Sequence, residues 1–221
     1  MNKILLLVCC GLLLILGVSC KSPNISTPTP LNAPEISQIW STTWLAQPEC
    51  KPPCWQNITP GITTKDEAVS ILEKMPDTTI TYNTKDGVDW HFGLTKNEGG
   101  WLGAQDGIVN FIVLSSVNSK LTLETVVASY DYPSYVVPDD CRNGMCVTAL
   151  VYPDLGVFLT VFVENKGWDN NSIQVEILSD TIVDRVYFME KGTESFQKNY
   201  LIPEDKAPII EWKGYGNYSE D

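Results

Sequence analysis

The sequence predicts an α+β fold with one or more antiparallel sheets and short helices, because a helix followed by several strands occurs twice along the chain. In each copy the helical segment ends at a proline, and the apolar strand-like segments after it are separated by Asp-Gly or Asn-Gly turns, which are typical of hairpins. The repetition predicts a duplicated helix-then-strands unit.

The first predicted helix begins after Thr64. Thr64 and Glu67 have the spacing of a capping box, and Pro76 ends the apolar repeat. The residues at helical spacing are Ala68, Ile71, Leu72 and Met75. Strands are predicted at 79–83, 88–92, 101–104 and 108–114. These elements form the first half of the domain, at about 50–118.

The second predicted helix ends at Pro133. Its apolar positions are Leu123, Val126, Val127 and Tyr130. Strands are then predicted at 146–152, 157–163, 172–178 and 182–189. The second half therefore covers about 119–200, and a C-terminal tail completes an extracytoplasmic domain at 50–221.

The N-terminus has the layout of an export signal. Lys3 precedes an apolar run at 4–18, which is short for a spanning helix of about 20 residues. Ser19 and Cys20 then resemble the lipobox of bacterial lipoproteins, in which the cysteine is diacylated and the preceding peptide is removed. We predict a signal peptide at 1–19 and a lipidated Cys20 with a Pro/Ser/Thr-rich spacer at 20–49. Cleavage at Cys10 and an uncleaved membrane anchor are the alternatives.

The net charge of −12 restricts the partners. It disfavours nucleic acid and electrostatic attraction to anionic lipid. Two acyl chains anchor a protein stably without such attraction. We therefore expect the chain to be held at the extracytoplasmic side of a bacterial membrane by diacylglyceryl-Cys20.

Four cysteines remain after Cys20, and an even number in an exported chain predicts two disulfides. The turn at Asn143-Gly144 sets Cys141 opposite Cys146, within disulfide range. That leaves Cys50 and Cys54 to each other, and their closure across Pro52-Pro53 requires a turn or a cis proline. Zinc binding by the four thiols is the alternative, although their spacing differs from that of common zinc sites.

No catalytic constellation is visible in the sequence. His91 is the one histidine, so a multi-histidine metal site is excluded, and its position in an alternating strand beside Asp89 predicts a solvated side chain. Phosphate-loop, dinucleotide and calcium-loop patterns do not occur, and no cofactor is expected. Carboxylates are numerous, so a hydrolase with an acidic pair stays open.

Two tryptophans are the candidate binding platforms. Trp101 and Trp212 lie in glycine-rich, turn-like contexts, where an indole can present its apolar face to a sugar ring or a partner. The alternative is that the tryptophans fill the core of the domain.

Two short segments, and the mature chain as a whole, carry a resemblance. The stretch Ile58-Thr-Pro-Gly-Ile-Thr63 is similar to the helix start of the small outer-membrane lipoprotein domain linked to barrel assembly and of the β-lactamase inhibitor protein fold. Tyr130-Asp-Tyr-Pro-Ser-Tyr-Val136 looks like the second helix end of such domains. The whole mature chain, with Pro-Pro-Cys-Trp55 near its start and Trp212-Lys-Gly-Tyr-Gly216 near its end, resembles uncharacterised bacterial surface lipoproteins. The resemblance implies a scaffold that binds a partner.

The sequence therefore predicts a membrane-anchored lipoprotein with a non-enzymatic binding or scaffold domain, whose partner is a protein or an envelope polysaccharide. An envelope carbohydrate-binding protein or acidic-pair hydrolase is the alternative function.

Overall fold

The computed structural model describes residues 44–45, 49–93, 98–116, 120–167, 172–199 and 208–219. Three helices are present in this part of the chain: α1 (Lys65–Leu72), α2 (Leu123–Tyr130) and α3 (Thr193–Asn199). The strands are β1 (Thr78–Asn83), β2 (Gly87–Phe92), β3 (Glu98–Gln105), β4 (Ile108–Ser116), β5 (Tyr135–Arg142), β6 (Met145–Tyr152), β7 (Val157–Glu164), β8 (Gln174–Ile177), β9 (Val183–Met189), β10 (Ile210–Glu211) and β11 (Gly216–Ser219).

Nine of these strands form one sheet in the order β1-β2-β3-β4-β9-β7-β6-β5-β10. Every neighbouring pair is antiparallel. Strands β8 and β11 form a separate two-stranded sheet. The centre of the large sheet is the pair β4 and β9, which joins the first four strands to the strands of the second half.

The predicted α+β class is wrong, because the fold is mainly β. The two predicted helices exist, but each is only 8 residues long, and strands dominate the described part of the chain. Such short helices have little stability alone and form here by packing their apolar sides on the sheet. The long apolar segments became strands, of which β6 and β7 are buried on both faces over most of their length.

The same connection between helix and sheet occurs in both halves. The Lys65 N–H donates to the Gly107 carbonyl at 2.9 Å, and the Val109 N–H donates to the Thr63 carbonyl at 3.0 Å. Before α2, Leu123 donates to Thr181 and Val183 donates to Leu121, both at 2.9 Å. Each helix is thus tied at its first turn to the strand that lies at the centre of the sheet.

One face of the sheet, the core face, carries most of the buried apolar side chains. Leu72 of α1 and Val126 of α2 are fully buried there against residues such as Ile112 and Leu159. The N-terminal segment adds two tryptophans. Trp55 stacks on Trp90 with ring centroids 5.6 Å apart, and Trp44 stacks on Tyr130 at 5.5 Å. The core face is therefore closed by both helices and this segment.

Among the described residues, the helix that packs on the opposite face, which we call the open face, lies over the second half of the sheet. There Phe196 of α3 is buried and meets Phe158 edge-on at 5.2 Å. Val137, Val151 and Met189 complete this smaller cluster. No helix in the described part of the chain packs on the first half of this face. Tyr82 and Trp101 are exposed on the first-half part of the open face.

Both pairs of cysteines are disulfide-bonded. Cys141 and Cys146 lie opposite each other across the β5–β6 hairpin, and Asn143 and Gly144 at its turn both have positive φ. Cys50 and Cys54 bridge a loop whose Pro52-Pro53 bond is cis, one of the two routes to closure that the sequence allowed. Both bridges are local: one joins neighbouring strands of the sheet, and the other closes the loop before α1.

The two helix starts provide a matched test of local stabilisation. The Thr64 side chain accepts a hydrogen bond from the Glu67 N–H, and the Thr64 N–H donates to the Glu67 carboxylate at 3.0 Å. The Thr122 hydroxyl makes no such cap. We expect Thr64→Ala to lower the free energy of unfolding by about 1 kcal/mol, whereas Thr122→Ala changes it by a few tenths. Urea unfolding of both variants measures this, and equal losses would contradict the capping role.

The partly buried Tyr130 predicts an alkaline limit to stability. The Tyr130 hydroxyl donates to the Trp44 carbonyl at 2.9 Å, and burial raises the pKa of Tyr130 to about 12. Because the folded state favours the neutral form, this stabilisation is complete below the unfolded pKa of about 10 and is lost as the pH rises towards 12.

We therefore expect Tyr130→Phe to lower the free energy of unfolding by about 1 kcal/mol at neutral pH, and the difference from wild type to shrink above about pH 10. Tyr130 is half-exposed, so the pH-dependent part is about 1 kcal/mol after allowance for solvent screening. Urea unfolding at several pH values measures it. A difference independent of pH would contradict the assignment.

Candidate functional site

A depression of about 730 Å³ lies on the first-half part of the open face, and we call it the Trp101 depression. It is formed by β1, β2, β3, β4 and β9 with the β1–β2 turn. Its lining residues are Tyr82, Thr84, Asp86, Gly87, Asp89, Trp90, His91, Gly99, Gly100, Trp101, Val113, Ser115 and Arg185.

Trp101 supplies the largest apolar surface in the depression. It lies in the middle of β3, and 46% of its surface is exposed. Its ring meets Phe111 edge-on, with centroids 4.6 Å apart. A side-chain carbon placed on Gly87 would approach the indole nitrogen to 3.3 Å, so the indole extends over this glycine. Gly87 and Phe111 together hold the ring while leaving nearly half of it accessible.

A row of aromatic residues crosses the strands at the level of Trp101. Residues directly opposite in an antiparallel sheet share a face, and the register aligns Tyr82, Asp89, Trp101, Val113, Tyr187 and Phe158. Tyr82 is 58% exposed at the β1 end. At the other end Tyr187 stacks on Phe158 with centroids 4.1 Å apart, beside α3. The accessible part of this aromatic row is thus the part from Tyr82 to Trp101.

A polar row runs beside the aromatic row. On most of the strands its residues lie two positions from those of the aromatic row, and so on the same face of the sheet. The register aligns Thr79, His91, Gly99, Ser115, Arg185 and Thr160. Gly99 cannot carry a side chain, because an added carbon would lie 2.2 Å from the Trp90 carbonyl oxygen. The space between His91 and Ser115 therefore stays open beside Trp101.

Several polar groups of the depression have unused hydrogen-bonding capacity. Within the part of the chain that the structure describes, the side chains of Asp89, His91 and Ser115 make no hydrogen bond. Arg185 forms an ion pair with Asp184, in which its Nε lies 3.3 Å from a carboxylate oxygen. The depression thus presents carboxylate, imidazole and hydroxyl groups to solvent next to an indole.

The carboxyl group that burial perturbs lies elsewhere. Burial raises the pKa of Asp184, and the adjacent Arg185 opposes this shift. Asp184 lines a second depression of about 490 Å³ with Phe162, Leu178 and Ile182, whose side chains are about half exposed. A glycoside hydrolase needs a carboxylic acid with a raised pKa facing a second carboxylate across the substrate. Asp86 and Asp89, the acids of the Trp101 depression, do not share their site with Asp184.

Trp212, the second candidate platform, lies in a different environment. It is half-buried, and its ring is nearly parallel to those of Tyr132 and Tyr218, at 6.2 and 5.8 Å. Tyr215 meets it edge-on at 5.6 Å. The backbone N–H of Trp212 donates to the Ser134 carbonyl, and this hydrogen bond holds the C-terminal segment beside β5. Aromatic neighbours therefore occupy much of the Trp212 ring.

The sequence indicated only part of the depression. Trp101 stood out by its glycine-rich context, and His91 was assigned correctly to the face opposite Trp90. Tyr82, Ser115 and Arg185 were not recognised as candidates. Their alternation in strands was visible, but the register that brings them together is a property of the sheet. Cys20, the predicted lipidation site, lies outside the described residues.

The described residues include no metal-binding cluster and no membrane-spanning helix. Among them no group of three or more histidine, cysteine or acidic side chains has the geometry to hold a metal ion. None of the helices described is both long and apolar enough to cross a membrane.

Comparisons with known proteins give two distant structural similarities. No protein-family model and no curated protein matches the chain. One similar structure is an extracellular protein containing an SCP domain from Bacillus anthracis, with 7% identity, a TM-score of 0.34, and coverage of 76% of this chain and 53% of that one. The other is a cysteine-rich secretory protein from Staphylococcus aureus, with 9% identity, a TM-score of 0.35, and coverage of 77% and 56%. The chain thus spans about half the length of these proteins.

Proposed function

We propose that this chain is a lipid-anchored, extracytoplasmic binding protein without enzymatic activity, and that it binds its ligand at the Trp101 depression. The observation that carries the proposal is the half-exposed Trp101 beside hydrogen-bonding groups on a sheet face that no helix among the described residues covers. A large exposed aromatic surface among convergent polar groups is typical of a binding site.

The proposed location is supported by two observations. The two disulfides are typical of exported proteins. The N-terminal sequence, with Lys3, an apolar run and Cys20, fits export followed by lipidation. The spacer after Cys20 would hold the domain away from the bilayer.

Two structural contrasts support binding at Trp101. The ring of Trp212 is occupied by its own aromatic neighbours, whereas Trp101 has one edge-on contact with Phe111. At the Trp101 depression, binding is favoured over hydrolysis because Asp184, the acid with the raised pKa, lines the second depression instead.

The anchor can be tested by mass and fractionation. We expect the mature protein to begin at Cys20 with an added diacylglyceryl group, and to gain four alkylated thiols only after reduction, because the disulfides protect Cys50, Cys54, Cys141 and Cys146. Cys20→Ser should move the protein from the membrane fraction to the soluble fraction. A full-length mass that retains Met1 would contradict the lipidation.

The site can be tested in the lipid-free Cys20→Ser background with the full chain. We expect Trp101→Ala to weaken co-sedimentation with envelope fragments of the producing bacterium by about tenfold, since stacking on an indole is worth on the order of 1 kcal/mol or more. Phe162→Ala is the matched control, because Phe162 is also an aromatic residue about half exposed on a sheet strand (53%) but lies in the second depression. Equal binding by wild type and Trp101→Ala would refute the site.

A further inference from the structure

We propose that the ligand of the Trp101 depression is a neutral or amino-bearing glycan chain that lies across the strands, along the aromatic row. This inference rests on the proposed function, because it names the chemical class of ligand for the same site.

The accessible aromatic rings of the depression are spaced to fit a glycan chain. Tyr82 and Trp101 both line the depression and are separated by two strand intervals, from β1 to β3. Neighbouring strands lie about 4.8 Å apart, so the two side chains start about 10 Å apart. This is close to the length of a disaccharide in an extended glycan. One chain can therefore place alternate sugar rings on Tyr82 and Trp101.

The second argument is the position of the polar row. A pyranose ring has an apolar face and a rim of hydroxyl groups, so its site needs an aromatic surface with hydrogen-bonding groups at the side. His91 lies two residues from Asp89 along β2, and Ser115 lies two residues from Val113 along β4. On β3, the strand between them, the residue level with both is Gly99. A sugar stacked on Trp101 can thus direct its rim towards His91 and Ser115 across the open space at Gly99.

The third argument is the hydrogen-bonding state of these groups. The side chains of Asp89, His91 and Ser115 have no partner within the described residues, although His91 is only half-exposed. Sugar hydroxyl groups both donate and accept, so they match a carboxylate that only accepts and a serine hydroxyl that does both. An apolar protein partner would leave these groups without hydrogen bonds when it covered them.

The fourth argument is charge. Asp86 and Asp89 lie in the depression, the positive charge of Arg185 is paired with Asp184, and the chain as a whole carries −12. Like charges repel an acidic glycan at such a surface. A neutral glycan meets no repulsion, and an amino-bearing one gains attraction mainly to Asp89, since Asp86 already forms an exposed ion pair with Lys85 at 4.0 Å.

The experiment compares three hexasaccharides by isothermal titration calorimetry with the full Cys20→Ser chain. The probes are chitohexaose, which is neutral, its deacetylated cationic form, and hexagalacturonate, which is anionic. We expect the first two to bind and the third to bind at least tenfold more weakly. Trp101→Ala should weaken binding of the hexasaccharides by about tenfold.

A second variant tests the orientation of the chain. Tyr82→Ala should weaken binding of chitohexaose several-fold and leave binding of chitobiose on Trp101 nearly unchanged, because a disaccharide occupies one platform. Phe162→Ala should bind all probes like wild type. Circular dichroism and thermal unfolding confirm that each variant is folded.

The outcomes separate this inference from the proposed function. Failure of both neutral and cationic hexasaccharides to bind, tighter binding of hexagalacturonate, or binding that Trp101→Ala leaves unchanged would each overturn the glycan assignment. If envelope co-sedimentation still depends on Trp101 when no glycan binds, the site stands and its ligand is a protein. If co-sedimentation is independent of Trp101 as well, both proposals fail.

Discussion

The antiparallel pairing of β4 with β9 is the interaction on which the rest of the structure depends. Its register runs from Phe111 opposite Met189 to Ser115 opposite Arg185, and it joins a group of four strands to a group of five in one sheet. On the core face it brings together Ile112, Leu114, Val186 and Phe188, all of them buried. On the open face it completes the rows to which Trp101 and Ser115 belong. Without this pair, each half would expose a long apolar strand edge, which is an aggregation risk.

The two halves share the placement of a helix on the core face and differ on the open face. Both place a capped or tethered helix on the core face, with equivalent hydrogen bonds at the first turn. Only the second half is followed by α3, whose Phe196 closes the open face over Phe158. The first half keeps that face accessible, and its apolar residues there, such as Val113, are shielded by neighbours rather than by a helix. The asymmetry between the halves therefore creates the depression.

Local signals in the sequence predicted local structure well. The capping box at Thr64 and Glu67 and the Asn143-Gly144 turn depend on residues within one or two turns of each other, and the observed register of Cys141 opposite Cys146 follows from that turn. The fold class was wrong because helical spacing shows where a helix forms but not how much of the chain it represents. The short elements α3, β10 and β11 were missed, because two to seven residues carry too little pattern to be recognised.

The candidate site also combines local features that the sequence shows with long-range features that it does not show. The glycine-rich context of Trp101 could be read directly, because it concerns adjacent residues. The contribution of Arg185 could not, because Arg185 reaches the depression only through the pairing of β9 with β4, and that pairing joins residues distant in sequence. A property that depends on register across four strands is set by the packing of the whole sheet rather than by any one segment.

The order in which these pairings form has a consequence for folding. The hairpins β1–β2, β3–β4, β5–β6 and β6–β7 are local, and local contacts form fast, whereas β4 and β9 are far apart in the chain and pair late. Until they pair, the backbone hydrogen-bonding groups along the edges of β4 and β9 are unpaired. The β4 edge of one chain can then pair with the β9 edge of another copy. At high protein concentration the first half of one chain can then pair with the second half of another. The late pairing of β4 with β9 thus makes a domain-swapped dimer the misassembly that we expect for this fold.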